Sequence, residues 1–143
     1  MIEKIHWFTE GVKMPSLDFG RLACWIEAVA QSYGRIVGEL SYQFCNDEHI
    51  LDVNRRFLSH DYYTDIITFD DCRGRLLRGD MVISLDTVRS NAELQGVSYD
   101  SELLRVIIHG VLHLCGINDK GPGEREIMEA AENKALALLD EIE

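Results

Sequence analysis

Residues 109–120 read HGVLHLCGINDK, and the fold turns on where that run sits. Leu103, Leu104, Ile107, Ile108, Val111 and Leu112 make a helix, capped at Asp100, that is apolar around nearly its whole circumference, and such a helix lies inside a protein. His109 and His113 rise from one face of it with about 5–6 Å between their Cβ atoms, so both can reach one metal ion. Gly116 stands where the helix should end and can take the left-handed conformation that reverses the chain. Residue 119 is thereby returned toward the histidines, and it is an aspartate.

The spacing H-x-x-x-H-x-x-G-x-x-D is the metzincin pattern H-E-x-x-H-x-x-G-x-x-H changed at two positions. Gly110 occupies the place of the glutamate that serves a metalloprotease as general base, which disfavours peptide hydrolysis. Asp119 occupies the place of the third histidine, and a carboxylate oxygen is an accepted zinc ligand. It makes the site harder and more negative, so zinc is expected first, with manganese or iron admissible. No histidine follows His113, and a further imidazole has to come from His6, His49 or His60. The alternative is a pair of core histidines satisfied by hydrogen bonds, with Asp119 opening the turn into the last helix; idle polar groups in so apolar a helix are costly, which favours the metal.

Working outward, residues 2–8 form a short first strand, and Ser16 caps a helix whose Leu22, Trp25, Ile26 and Val29 repeat at helical spacing up to Gly34. Ile36 to Phe44 alternates with period two, placing Ile36, Leu40, Tyr42 and Phe44 on one face and Glu39, Ser41 and Gln43 on the other, as a half-buried strand does. Asn46 caps a helix with Ile50, Val53 and Phe57 as its apolar positions. Thr64–Phe69 and Met81–Leu85 are strands, and the link between them is too short for a parallel crossover, so they pair antiparallel. Asp86 caps a helix ending at Gly96. A last helix starts near Pro122 and carries Ile127, Met128, Ala131, Ala135 and Leu138 as its stripe, with acids on its outer face. The result is an α+β fold with a mixed four-stranded sheet and about five helices.

The chain has 143 residues, 46% of them hydrophobic and 27% charged, which fits one domain (1–143) with a sizeable core. It has no apolar run of the length a membrane span needs and no signal-peptide pattern at its start, so a cytoplasmic protein without membrane contact is expected. Cys24, Cys45, Cys72 and Cys115 form no C-x-x-C pair and are read as reduced core residues. The net charge of −11 argues against gripping nucleic acid over the whole surface. Local contact is open to it, since Arg55, Arg56, Arg73, Arg75 and Arg78 fall within 24 residues, whereas residues 119–143 hold eight acids and three bases.

Three segments, NRRFLSHDYYTDIITF (54–69), GDMVIS (79–84) and HGVLHLCGIND (109–119), occur in the order and at the separations that resemble the YbeY family of bacterial metal-dependent endoribonucleases. The resemblance implies a zincin-like fold and a metal on the helix bearing His109 and His113, facing a groove for single-stranded RNA. It also implies a role in ribosomal RNA maturation and ribosome quality control, with the small ribosomal subunit as partner and no DNA substrate. His109 and His113 carry over as ligands and Asp119 takes the third ligand position. Thr64, Asp65, Gly79 and Asp80 match the family's other segments, where they serve equally well to shape turns and caps. Many relatives have an arginine at the position of Leu58; Arg55 or Arg56 is the candidate to supply that charge to the substrate. A zincin-type peptidase and a non-catalytic assembly factor with a structural metal are the rival functions.

Overall fold

The short link after Thr64–Phe69 does close an antiparallel pair. In the computed structural model, which describes residues 4–58 and 64–142, strand β3 (Ile66–Asp70) pairs antiparallel with β4 (Leu76–Ser84). The hairpin turns at Gly74 (φ 58°). Strands β1 (Ile5–Glu10) and β2 (Ile36–Cys45) run parallel to each other, and β2 runs parallel to β4. The order is β1-β2-β4-β3, a mixed sheet in an α+β fold, with β3 on an outer edge. That edge strand is held close at Gly79 (φ 158°), where an added Cβ would overlap the Phe69 carbonyl oxygen.

Among the described residues, five helices flank the sheet: α1 (Phe19–Ser32), α2 (Asp47–Val53), α3 (Leu85–Gln95), α4 (Tyr99–Leu114) and α5 (Glu124–Leu139). Asn46 caps α2 by accepting from the His49 amide at 2.9 Å, as its sequence foretells. Three other caps fall elsewhere than the sequence points. Asp18 rather than Ser16 caps α1, Ser84 rather than Asp86 caps α3, and Ser98 rather than Asp100 caps α4. Asp86 and Asp100 sit instead in the first turns, where a negative charge meets the positive end of the helix dipole.

The inward face of β2, with Leu40, Tyr42 and Phe44 fully buried, packs with Trp25, Ile26, Ile107, Ile108 and Leu112 in the main core under α1, α4 and α5. Two buried donors tie these layers: Tyr42 Oη donates to the Ile107 carbonyl at 2.9 Å and Trp25 Nε1 to the Ala135 carbonyl at 2.7 Å. A smaller cluster of Cys45, Ile50, Val53, Ile67 and Val82 lies on the opposite face, under α2. Three expected core residues are on the surface. Ile36 is 50% exposed, because β2 shifts register between Val37 and Leu40 and buries Val37 in its place. Ile127 is exposed because the α5 stripe runs through Met128, Ala131, Glu132, Ala135 and Leu139. Phe57 is 67% exposed, because α2 passes into a wider π-helical turn over Asn54–Leu58 that rotates it off the stripe of Ile50 and Val53. All four cysteines are free; Cys45 and Cys115 are buried and Cys24 is exposed. No helix among the described residues is long and apolar enough to cross a membrane.

Candidate active site

Helix α4 enters the core with Gly110 against the sheet. A Cβ there would stand 2.9 Å from Met81 Cγ and 3.1 Å from Ile66 Cδ1, so the position has no room for a side chain, least of all for a catalytic glutamate. The neighbouring His109 and His113 are only partly buried and look outward along the edge of β3. The helix ends as its sequence predicts: Gly116 takes φ 97° and donates to the His113 carbonyl, while the Ile117 amide reaches back to Leu112. Arg35 caps the end from α1's side by donating to the Cys115 carbonyl at 3.2 Å. This reversal brings Asp119 Oδ2 to 3.4 Å from His109 Nε2.

The other ring nitrogen of His109 has a partner to which the sequence motif does not point. Nδ1 lies 2.7 Å from Glu132 Oε2 on α5, and Glu132 Oε1 accepts from Arg105 Nη1 at 2.9 Å. A carboxylate on Nδ1 fixes the tautomer that leaves Nε2 facing the cleft, the arrangement ordinarily found behind metal-binding histidines. Burial by itself would lower the pKa of His109; the hydrogen bond and charge of Glu132, with Asp119 and Asp65 behind it, outweigh that and hold it above its usual value. Burial likewise acts to raise Glu132, and His109 and Arg105 overcome it, holding this carboxyl below the usual range.

Two clefts of about 520 and 240 Å³ meet here, and Asp65, His109 and Asp119 line both. The larger runs between α4 and α5 past Glu102, Arg105, Arg125 and Glu132. The smaller crosses the edge of β3 and is walled by Asn54, Leu58, Thr68, His113 and Lys120. Burial raises the pKa of Asp65 against the pull of His109. It also raises that of Glu102, which is 5% exposed, with Asp65 adding to the effect.

His109, His113 and Asp119 thus share one cleft. Among the described residues, no group of three His, Cys, Asp or Glu side chains is gathered tightly enough to hold an ion as the side chains stand. The donor chemistry nonetheless fits a divalent cation: two imidazoles and a carboxylate, one imidazole already oriented by a carboxylate behind it. His6 and His49 are elsewhere, bonded to Glu39 at 2.8 Å and Gln43 at 3.0 Å on the sheet face that carries α2; His60 lies outside the described residues.

Of the arginines, neither Arg55 nor Arg56 lines the clefts, and Arg56 pairs with Asp52 at 3.2 Å. Arg73 and Arg78 both pair with Asp71, and Arg75 donates to the Gly34 carbonyl. The cations at the clefts are Arg105, Arg125 and Lys120. Thr64 and Asp65 line the smaller cleft, whereas Asp80 is exposed and accepts from Ser41 Oγ on the far sheet face. The sequence did carry a signal for Glu132: it falls inside the apolar stripe of α5, between Met128 and Ala135, where an acid is buried only with partners.

Fold and cleft together define an α+β protein with a histidine and carboxylate cluster at the open edge of a mixed sheet. A solution structure of a protein from Thermotoga maritima has the same fold, with TM-score 0.66 at 24% identity, covering 94% of this chain and 88% of that one. The family model described as Endoribonuclease YbeY matches residues 16–140. The protein named Endoribonuclease YbeY in Bacteroides thetaiotaomicron is 68% identical over 134 residues, 94% of this chain and 98% of the relative. Its namesake in Phocaeicola vulgatus is 67% identical over 135 residues, with the same shares covered. The chain belongs to the YbeY endoribonuclease family.

Proposed function

We propose that this chain is a metal-dependent endoribonuclease that cuts single-stranded RNA in the cytoplasm, in the maturation and quality control of ribosomal RNA, with the small ribosomal subunit as its partner. The observation that carries the reading is His109, tied through Nδ1 to Glu132 with Nε2 turned toward Asp119, in a cleft shared with His113. Family membership supports RNA as the substrate.

His109, His113 and Asp119 are the residues that would hold the cation, zinc in the first place, with manganese or iron admissible beside a carboxylate ligand. When bound, such an ion polarises a phosphoryl oxygen and lowers the pKa of water. Glu132 keeps the His109 proton on Nδ1 and so keeps Nε2 available. Lys120, on the wall of the smaller cleft, is placed to neutralise a phosphate oxygen. Gly110, pressed on Met81 and Ile66, leaves no place for the glutamate of a peptidase, which speaks against that rival.

The test is single-stranded RNA incubated with purified protein, with and without chelator, beside the His113→Ala and Asp119→Ala variants and elemental analysis of each. Cleavage that chelator abolishes, with one equivalent of metal in the wild type and less in both variants, is expected. Undiminished cleavage by His113→Ala would overturn the reading. RNA left intact by a wild type that still co-sediments with small ribosomal subunits would favour the assembly-factor rival.

A further inference from the structure

Helix α4 carries, in its first turn, an acid with no task in the packing around it. Glu102 is only 5% exposed, and its Oε1 is closed off from solvent with no hydrogen-bond partner among the described residues. Burying a carboxylate in that condition is costly, and an orphan of this kind in a folded protein calls for an explanation, a bound ion being one. Capping does not supply it. Ser98 caps α4 by accepting from the Ser101 amide at 3.1 Å, and the acid of a capping box stands at the third helical position, which Ser101 occupies. Arg105, one turn further along, directs its guanidinium to Glu132 at 2.9 Å and Asn133 at 2.8 Å instead.

The orphan belongs to the wall of the larger cleft, which is lined by five carboxylates against two arginines. Two of the five are answered: Glu132 by His109 and Arg105, and Asp119 by His109. Glu129 and Arg125 are exposed and solvated. Asp65 and Glu102 are left. Asp65, just ahead of β3, accepts from the Ile66 amide and feels His109 without forming an ion pair among the described residues. It approaches from the sheet side while Glu102 comes from α4, and its charge adds to burial in raising the pKa of Glu102. Like charges that face one part-buried cleft disfavour each other, and buried charges are ordinarily paired or coordinate metals.

We propose that Asp65 and Glu102 form a second cation site, separate from the His109, His113 and Asp119 set, for a hard divalent ion of the Mg2+ kind. Such an ion needs no cage of three protein ligands; it keeps several waters and binds through one or two carboxylates together with substrate phosphates. Its role rests on the nuclease reading above: a cation held here gives the phosphate backbone of RNA an attractive contact inside a cleft whose own side chains are acidic on balance. The site itself does not depend on that reading.

The experiment uses Mn2+ as the probe, titrated into zinc-loaded protein and followed by electron paramagnetic resonance of the free ion, with Mg2+ as competitor. Wild type should bind one Mn2+ with Kd about 0.1–1 mM, the weak end for a site with few protein ligands, and Mg2+ should displace it. Glu102→Gln and Asp65→Asn should each weaken Mn2+ by about 10-fold or more, since affinity for a hard cation follows the charge of its ligands, while the zinc content of Glu102→Gln stays that of wild type. His113→Ala, whose side chain is not part of the larger cleft, should lose zinc and keep Mn2+. Amide signals of wild type supply a check that needs no variant: bound Mn2+ should broaden residues 65–66 and 101–103 first. No saturable Mn2+ at several millimolar, undiminished binding by folded Glu102→Gln, or broadening centred elsewhere overturns the site. RNA left intact by a protein that binds Mn2+ here overturns the nuclease reading and supports the site; RNA cleaved by a zinc-loaded protein that binds no Mn2+ overturns the site alone.

Discussion

Replacing Glu132 by glutamine tests the link between stability and the candidate site. The carboxylate is shared: Oε2 pairs with His109 Nδ1 at 2.7 Å and Oε1 accepts from Arg105 Nη1 at 2.9 Å, with the Glu132 side chain 12% exposed. Glutamine keeps the volume, so no cavity opens, but its single carbonyl oxygen must serve two donors. One charge-assisted hydrogen bond is lost, at about 1.5–3 kcal/mol. The new amide then turns an N–H group toward whichever donor is left over, which places the expected loss in the upper half of that range. For a chain of this size about 2–3 kcal/mol corresponds to a fall in Tm of roughly 5–12 °C. Under the proposed ligation, zinc affinity should fall about 10- to 100-fold, the usual effect of removing a carboxylate behind a ligating histidine. Calorimetry and competition with a zinc chelator measure the two losses. Asn133→Ala is the control: it removes only the exposed contact to Arg105 Nη2 and should cost under about 0.5 kcal/mol. Glu132→Gln melting within about 1 °C of wild type with undiminished zinc affinity would refute the orienting role.

Gly79→Ala should destabilise by about 3–5 kcal/mol, combining an unfavourable φ with the overlap on Phe69's carbonyl that disturbs the β3–β4 ladder. Gly74→Ala, at φ 58° with open space around it, should cost only about 1–2 kcal/mol, and equal urea midpoints for the two would contradict the steric account. Gly110→Glu is expected to lower stability by more than about 4 kcal/mol, through overpacking and a buried charge, without creating peptidase activity; a stable variant that digests unfolded protein would sink this. Native protein should show one fast thiol toward a disulfide reagent at pH 8, lost in Cys24→Ser. Burial pushes the Cys45 thiol up to about 12 and Cys115 up to about 11, so four equally fast thiols would contradict the burial described. Finally, a log–log plot of RNA affinity against salt should have a slope no steeper than about −2, at about −0.7 for each phosphate neutralised by Lys120, Arg105 and Arg125. A slope near −5 would reveal phosphate contacts beyond the clefts, with Arg55 and Arg56 the first to examine.

Much of this architecture is legible in the sequence because each signal is local and strong. The buried circumference of α4, the alternation in β2 and the short β3–β4 link each admit one physical solution, and the reversal at Gly116 follows from a glycine at a helix end. The misplacements have identifiable causes. An acid at Asp86 or Asp100 suits a cap, but serines just upstream, in extended conformation, reach the helix amides, and the acids suit the first turn equally well. Spacing places Phe57 in the core because it presumes a continuous α-helix, and nothing in the run of apolar positions announces a π turn. The Glu132 contacts depend on the crossing of α4 and α5, which joins residues 23 apart in sequence. The arginine cluster at 55–78 looked like a basic patch because sequence counts charges but not partners; once folded, Arg56, Arg73 and Arg78 all face aspartates.

The same distinction bears on how so acidic a chain meets RNA. Net charge governs solubility and nonspecific association, whereas the field at the cleft depends on which carboxylates stay uncompensated there. Glu132 is neutralised by His109 and Arg105, and Asp119 faces His109. Burial raises the carboxyl pKa of Asp65 and of Glu102. Under the proposed ligation, Asp119 removes one unit of positive charge from the site compared with a third histidine, so the bound cation attracts phosphate less strongly.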